Sequence, residues 1–183
     1  MRLFLVRHPQ PAIEAGICYG STDLALAPQQ LDLVLASLTA LESVLPDNVA
    51  LFSSPLRRCA ELALRLPCAS RTFDDRLVEI NFGDWEMRPW DAIPRAEIDA
   101  WAGDLVHYRP GGGESVLQMA ARVTAFHAQL QRLPQQQSIV VCHAGVIRLL
   151  AACQSGLSLP EMALQAACTP HKIGYGEVTI LDC

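Results

Sequence analysis

Short apolar runs along the chain alternate with longer stretches in which apolar residues recur every three or four positions. Residues 2–6 (Arg-Leu-Phe-Leu-Val) form the first run and end in charge, which reads as a buried strand. Val49–Ser53, Arg71–Phe73, Ser138–Cys142 and Glu177–Leu181 read the same way. Between them, helical spacing begins at about Pro28, with proline in the first turn and Leu31, Val34, Leu35, Leu38, Leu41 and Leu45 on one face. Pro46-Asp47-Asn48 should stop that helix. Further helices are predicted over Pro55–Leu66, 90–101, 114–132, and from His143-Ala144-Gly145 to about Cys153. Residues 7–27, rich in Pro, Gly, Ser and Thr, read as a loop. Residues 81–113 carry all three tryptophans and read as an insertion over one end of the sheet. Strands and helices alternating at these lengths imply a three-layer α/β/α domain with a mainly parallel, mixed central sheet. Sites in such sheets lie beyond the carboxyl ends of the strands.

Composition narrows the function. A chain of 183 residues suits one domain spanning 1–183. It is large enough to fold without a disulfide or metal staple. Apolar residues make up 51% and charged ones 18%, which argues against disorder. The net charge is −5, with 13 Arg and a single Lys. No basic face is expected, so nucleic acid is a poor partner. Any anion site has to be local and built from a few placed arginines. The seven cysteines are odd in number and lack a CxxC pair, which suits reduced thiols in a cytosol. The apolar run at Leu3–Val6 is too short for a signal-peptide core, and no stretch reaches membrane-span length. These features point to a soluble cytoplasmic protein that makes no membrane contact.

Two histidines are placed alike. His8 follows Leu-Phe-Leu-Val-Arg, and His143 follows Ser-Ile-Val-Val-Cys, so each emerges at the carboxyl end of a buried strand. His143 also precedes a helix, whose first N–H groups favour an anion. Singly, such histidines are usually structural; the arginines change the balance. Arg7 precedes His8, and Arg57 and Arg58 follow the second strand. Guanidinium forks match phosphate oxygens and stay charged. Glu79 by itself reads as a surface carboxylate. Cys142, beside His143, reads as a packing thiol, because adjacent strand residues point to opposite faces. His107, His127 and His171 read as surface or structural. Gly111-Gly112-Gly113 is no P-loop, since no Gly-Lys-Ser/Thr follows.

In order, Leu-Val-Arg-His-Pro-Gln-Pro, Ser-Ser-Pro-Leu-Arg-Arg-Cys, Leu-Val-Glu-Ile-Asn-Phe-Gly-Asp-Trp-Glu, Pro-Gly-Gly-Gly-Glu-Ser and Val-Cys-His-Ala-Gly-Val-Ile-Arg resemble the motifs of the histidine phosphatase superfamily, across residues 3–148. The resemblance implies a phosphoglycerate mutase-like fold and a metal-independent phosphatase without cofactor, monomeric or homodimeric, acting on a small phosphorylated substrate. It implies His8 as the phosphorylated nucleophile, with Arg7, Arg58 and His143 holding phosphate and Glu79 as proton donor. Gly113-Glu114-Ser115 would lie near the pocket rim, and Tyr19, Ser21 and Thr22 are further rim candidates. Trp85, Trp90, Trp101 and Tyr108 either line an entrance or pack the insertion.

Two positions depart from the family pattern. Pro9 stands where glycine is usual, which removes an N–H. Glu14 stands where asparagine is frequent, and a carboxylate there would repel phosphate. Arg7-His8-Pro9 with Cys18-Tyr19-Gly20 and Asp23 resembles the α-ribazole-5′-phosphate phosphatases of cobalamin assembly. The alternative is a cofactor-dependent phosphoglycerate mutase; mutases of the family are longer, which favours a phosphatase. A non-catalytic phospholigand-binding module is a third reading, against which a retained proton donor argues.

Overall fold

In the computed structural model, which describes residues 1–40, 49–170 and 172–183, four strands run parallel. They are β1 (Arg2–Arg7), β2 (Ala50–Ser53), β3 (Ser70–Phe73) and β4 (Gln137–Cys142). A fifth, β5 (Val178–Asp182), closes one edge antiparallel to β1. The sheet order is β3-β2-β4-β1-β5, a mixed and mainly parallel sheet as the sequence predicts. The two central strands are nearly continuous apolar runs because both of their faces are covered.

Alternation along the strands divides the core in two. Leu3, Leu5, Phe52, Val140 and Cys142 pack on one face against the helices α4 (Val116–Leu130), α5 (Ala144–Ala152) and α6 (Leu159–Cys168). Phe4, Val6, Leu51, Ile139 and Val141 pack on the other against α1 (Pro28–Ala40) and α2 (Arg57–Ala63). That sandwich is the three-layer arrangement. Among the described residues, no helix is long and apolar enough to cross a membrane.

Several boundaries differ from the predicted ones for identifiable reasons. The expected continuation of α1 through Leu41 and Leu45, and its stop at Pro46-Asp47-Asn48, lie outside the described residues. The single helix predicted at 90–101 is a short 3₁₀ turn at Trp90–Ala92 followed by α3 (Arg95–Gly103). Pro94 divides them, holding Ile93 extended (φ −80°, ψ 130°). α4 starts two residues later than predicted, because Ser115 is its cap. The Ser115 hydroxyl accepts from the Gln118 N–H, and the Gln118 side chain accepts from the Ser115 N–H. α6 was not predicted at all, although Ser158 and Glu161 form the same box with Pro160 in the first turn. Residues 81–113 hold a small core of their own, where Trp85 and Ile93 pack with Cys18, Phe82, Ile98, Trp101 and Tyr108.

Candidate active site

Because β1, β2 and β4 are adjacent and parallel, their carboxyl ends bring His8, Ser54 and His143 together. The His8 N–H donates to the Cys142 carbonyl (3.0 Å), and the Ser54 N–H donates to the Val141 carbonyl (3.0 Å). The two imidazoles lie edge to face with centroids 5.0 Å apart. His8 is 2% exposed and His143 1% exposed. His143 Nε2 lies 2.9 Å from Ser54 Oγ and 3.5 Å from Cys59 Sγ.

His8 Nδ1 lies 2.6 Å from the carbonyl oxygen of Pro9. A carbonyl only accepts, so Nδ1 carries the proton and Nε2 keeps a free lone pair. Pro9 has no N–H to offer, but its carbonyl sets the tautomer. Burial pushes the His8 imidazole down, to about 3, with Arg58 and then Arg7 adding to the push against the Pro9 bond. Burial, and then His8 and Arg58, hold His143 well below the usual histidine range. Both rings are therefore neutral at physiological pH.

Two guanidiniums flank this pair. Arg58 is fully buried and donates to the carbonyls of Gly20 and Thr22. Arg7 donates to the Ile173 carbonyl. Neither forms an ion pair among the described residues. In each, the Nε–H is buried without a partner. Buried positive charge without a counter-ion is expensive, and an anion with several acceptor oxygens would relieve it.

Glu79 sits at the start of α5. Its carboxylate accepts from the Gly145 N–H (3.0 Å) and the Ile80 N–H (3.0 Å). A carboxyl side chain of the protein itself thus occupies this helix N-terminus. A Cβ on Gly145 would meet Glu79 Oε1 at 2.3 Å, so glycine is what lets the carboxyl lie here. Arg7, His8, Arg58 and Glu79 share one end of a cavity of about 410 Å³. Phe82, Trp101, Leu105, Val116, Met119 and Leu149 form its apolar walls. Tyr19 lines it as well, whereas His143 packs edge-on against His8 and is not among the lining residues.

Other rim candidates are occupied elsewhere. Ser21 and Thr22 each give their N–H and hydroxyl to the Glu86 carboxylate, which also takes the Phe82 N–H. Burial raises the Glu86 carboxyl, yet these bonds from Thr22, Phe82 and Ser21 hold it below the usual carboxylate range. Glu114 pairs with Arg122 at 2.7 Å, and Ser115 caps α4; neither lines the cavity. Glu14 is exposed and lies outside the cavity. Trp101 lines the cavity while Trp85 is buried beneath it, its Nε1–H donating to Glu97 (2.6 Å), so the insertion aromatics do both jobs. Cys142 is buried in the sheet, and burial raises its thiol well above the ordinary range. His107 is exposed beside Asp104, His127 lies next to Gln131, and His171 is outside the described residues.

Sequence reasoning missed Glu86 and Tyr175. Glu86 ends a quoted motif without a recognisable partner. Tyr175 lies between two glycines, where only its neighbours in space reveal its place: the Arg7 guanidinium carbon 4.0 Å over its ring and His8 5.6 Å away.

Residues 3–180 match the family described as the histidine phosphatase superfamily (branch 1). The adenosylcobalamin/alpha-ribazole phosphatase of Escherichia coli is 31% identical over 171 residues, covering 88% of this chain and 83% of that protein. A Hydrogenobacter thermophilus protein named as phosphoserine phosphatase 2 is 30% identical over 168 residues, covering 88% and 82%. Among solved structures, the alpha-ribazole phosphatase from Shigella flexneri superposes with a TM-score of 0.78 at 28% identity, covering 100% of this chain and 90% of that one.

Proposed function

The chain belongs to the histidine phosphatase superfamily, and from that premise we propose that this phosphatase hydrolyses a small phosphomonoester through a phosphoryl group carried on His8. The observation that carries the reading is a neutral, buried imidazole with a free Nε2, flanked by two guanidiniums that lack a counter-ion.

In the first step Nε2 attacks phosphorus and the bond to the leaving oxygen breaks. Glu79 gives that oxygen its proton. In the second step water attacks the phosphohistidine, Glu79 takes the water's proton, and the N–P bond breaks. Arg7 and Arg58 hold the phosphoryl oxygens, and their charge opposes the charge of the transition state. His143 holds His8 in place and keeps the floor of the site neutral. Residues 81–113 act as a cap whose aromatics close one side of the cavity.

The apolar walls favour a leaving group with a large apolar part. α-Ribazole 5′-phosphate has such a part, and two relatives are named for alpha-ribazole. Those walls are a poor match for the three-carbon acid of a phosphoglycerate mutase. The seven free cysteines suit a reducing compartment and support action in the cytoplasm.

The test is turnover of purified protein on α-ribazole 5′-phosphate, O-phosphoserine, and 3-phosphoglycerate with a bisphosphoglycerate primer, with rapid quenching to trap the phosphoenzyme. The expected order of kcat/KM places α-ribazole 5′-phosphate first. A His8→Ala variant should lose both turnover and the acid-labile phosphoenzyme. Full turnover of an aryl phosphate by that variant would sink the mechanism.

A further inference from the structure

The two phosphate-site arginines are each covered by a tyrosine ring. The guanidinium carbon of Arg7 stands 4.0 Å over the Tyr175 ring, and that of Arg58 stands 5.5 Å from the Tyr19 ring. The tyrosines in turn meet hydroxyl to hydroxyl at 2.8 Å, across 156 positions of sequence. Tyr175 also touches the His8 ring, with centroids 5.6 Å apart at 47°.

The backbone on both sides is arranged for this meeting. The Gly176 N–H donates to the Arg7 carbonyl, and the Arg7 N–H donates to the Glu177 carbonyl, each at 3.0 Å. Those bonds pin the Tyr175 loop to the end of β1. Gly176 has φ +72°, and a Cβ there would meet Val34 Cγ2 at 2.5 Å, so the loop reaches its place only with glycine. On the other side, Gly20 brings its carbonyl onto Arg58 directly after Tyr19.

We propose that Tyr19 and Tyr175 are positioning residues that form a bracket around the phosphate site, fixing the spacing of the Arg7 and Arg58 guanidiniums for a tetrahedral dianion. The proposal rests on the reading of the pocket as a phosphate site. An arginine side chain has several free torsions, and a ring stacked on its face removes that freedom while leaving the N–H edge for the ligand. The hydroxyl pair joins two loops that share no strand, so each loop steadies the other's arginine.

The experiment is inorganic phosphate binding by calorimetry and vanadate inhibition of aryl phosphate turnover, for Tyr19→Phe, Tyr175→Phe, the double Phe variant and Tyr175→Ala. Each Phe variant loses the same single hydrogen bond and should weaken both anions about threefold. The double variant should be no weaker than either single one, because the bond is already gone. Tyr175→Ala loses the ring over Arg7 and should weaken both anions about tenfold. Phenylalanine at this position should recover about half of that loss in binding free energy, from tenfold to threefold. In every case KM should rise more than kcat falls. Thermal midpoints identify any variant that merely unfolds, and the Phe series decides the matter if the Ala variant does. Additive Phe effects, or unchanged anion affinity in Tyr175→Ala, would overturn the bracket while leaving the phosphatase reading intact. Phosphate binding without turnover in the wild type would remove the catalytic reading, with the bracket still decided by the tyrosine variants. A wild-type chain that binds neither anion overturns both.

Discussion

At Gly145 a missing methyl group determines where an acid sits. The Glu79 carboxylate lies against this residue, and a Cβ would come within 2.3 Å of Oε1. Gly145→Ala should therefore act as a partial Glu79 variant, displacing the carboxylate while the fold persists. The two can be compared by leaving group. Glu79→Gln should lower kcat/KM on an alkyl phosphate about 10²–10⁴-fold, the usual worth of general acid catalysis. On p-nitrophenyl phosphate, whose phenolate leaves without a proton, kcat/KM reports phosphorylation alone and should fall much less, while kcat still falls because Glu79 also serves the dephosphorylation step. Gly145→Ala should show the same leaving-group pattern at lesser amplitude. Equal losses of kcat/KM on both esters would remove Glu79 from the proton-donor role.

The loop before α1 and the helix α6 show how elements far from the chemistry hold it in place. Glu86 accepts from Ser21, Thr22 and Phe82, and the neighbouring carbonyls of Gly20 and Thr22 hold Arg58. Glu86→Gln replaces an acceptor-only group by one that must turn two donors toward N–H partners. Vanadate affinity and KM should then worsen several-fold, with kcat less affected, although Glu86 does not line the cavity. α6 supplies Ala166 and Ala167 to the cavity wall, and the Arg148 guanidinium donates to the carbonyls of both. Its N-terminal box depends on Ser158. Ser158→Ala should cost about 1 kcal/mol, and thermal unfolding should show a midpoint lower by roughly 2–4 °C.

For the molecule as a whole, the site shapes the dependence of stability on pH. Burial first, then the guanidiniums or the neighbouring ring, keeps His8 and His143 neutral when folded. In the unfolded chain both regain the ordinary histidine pKa, near 6.5. Below that value the unfolded state binds protons that the folded state refuses, so stability falls with falling pH. The loss begins near pH 6.5 and, for His8, continues to about 3. Each such histidine contributes up to about 1.4 kcal/mol per pH unit. Urea midpoints should therefore drop steadily from pH 7 to pH 5. A His8→Asn variant should flatten that slope, and bound phosphate should offset the loss. A midpoint independent of pH over this range would contradict the buried neutral pair.

The strands and the ends that carry chemistry were legible from the sequence, because local pattern decides them. Leu3–Val6 and Ile139–Cys142 are apolar on both faces, and two covered faces require a central strand whatever surrounds it. His8 and His143 follow such strands directly, and Arg58 opens the helix after β2, so their end of the sheet was readable too. α6 escaped prediction because its apolar positions gain meaning only against α4 and α5. The place of Tyr175 over Arg7, Glu86 as the anchor of Ser21 and Thr22, and the Glu79 carboxyl at the start of α5 all join residues distant in the chain. A hydrogen bond or a ring contact depends on direction and on a few ångströms. Those quantities exist only after the layers have packed, so the folded molecule alone decides them.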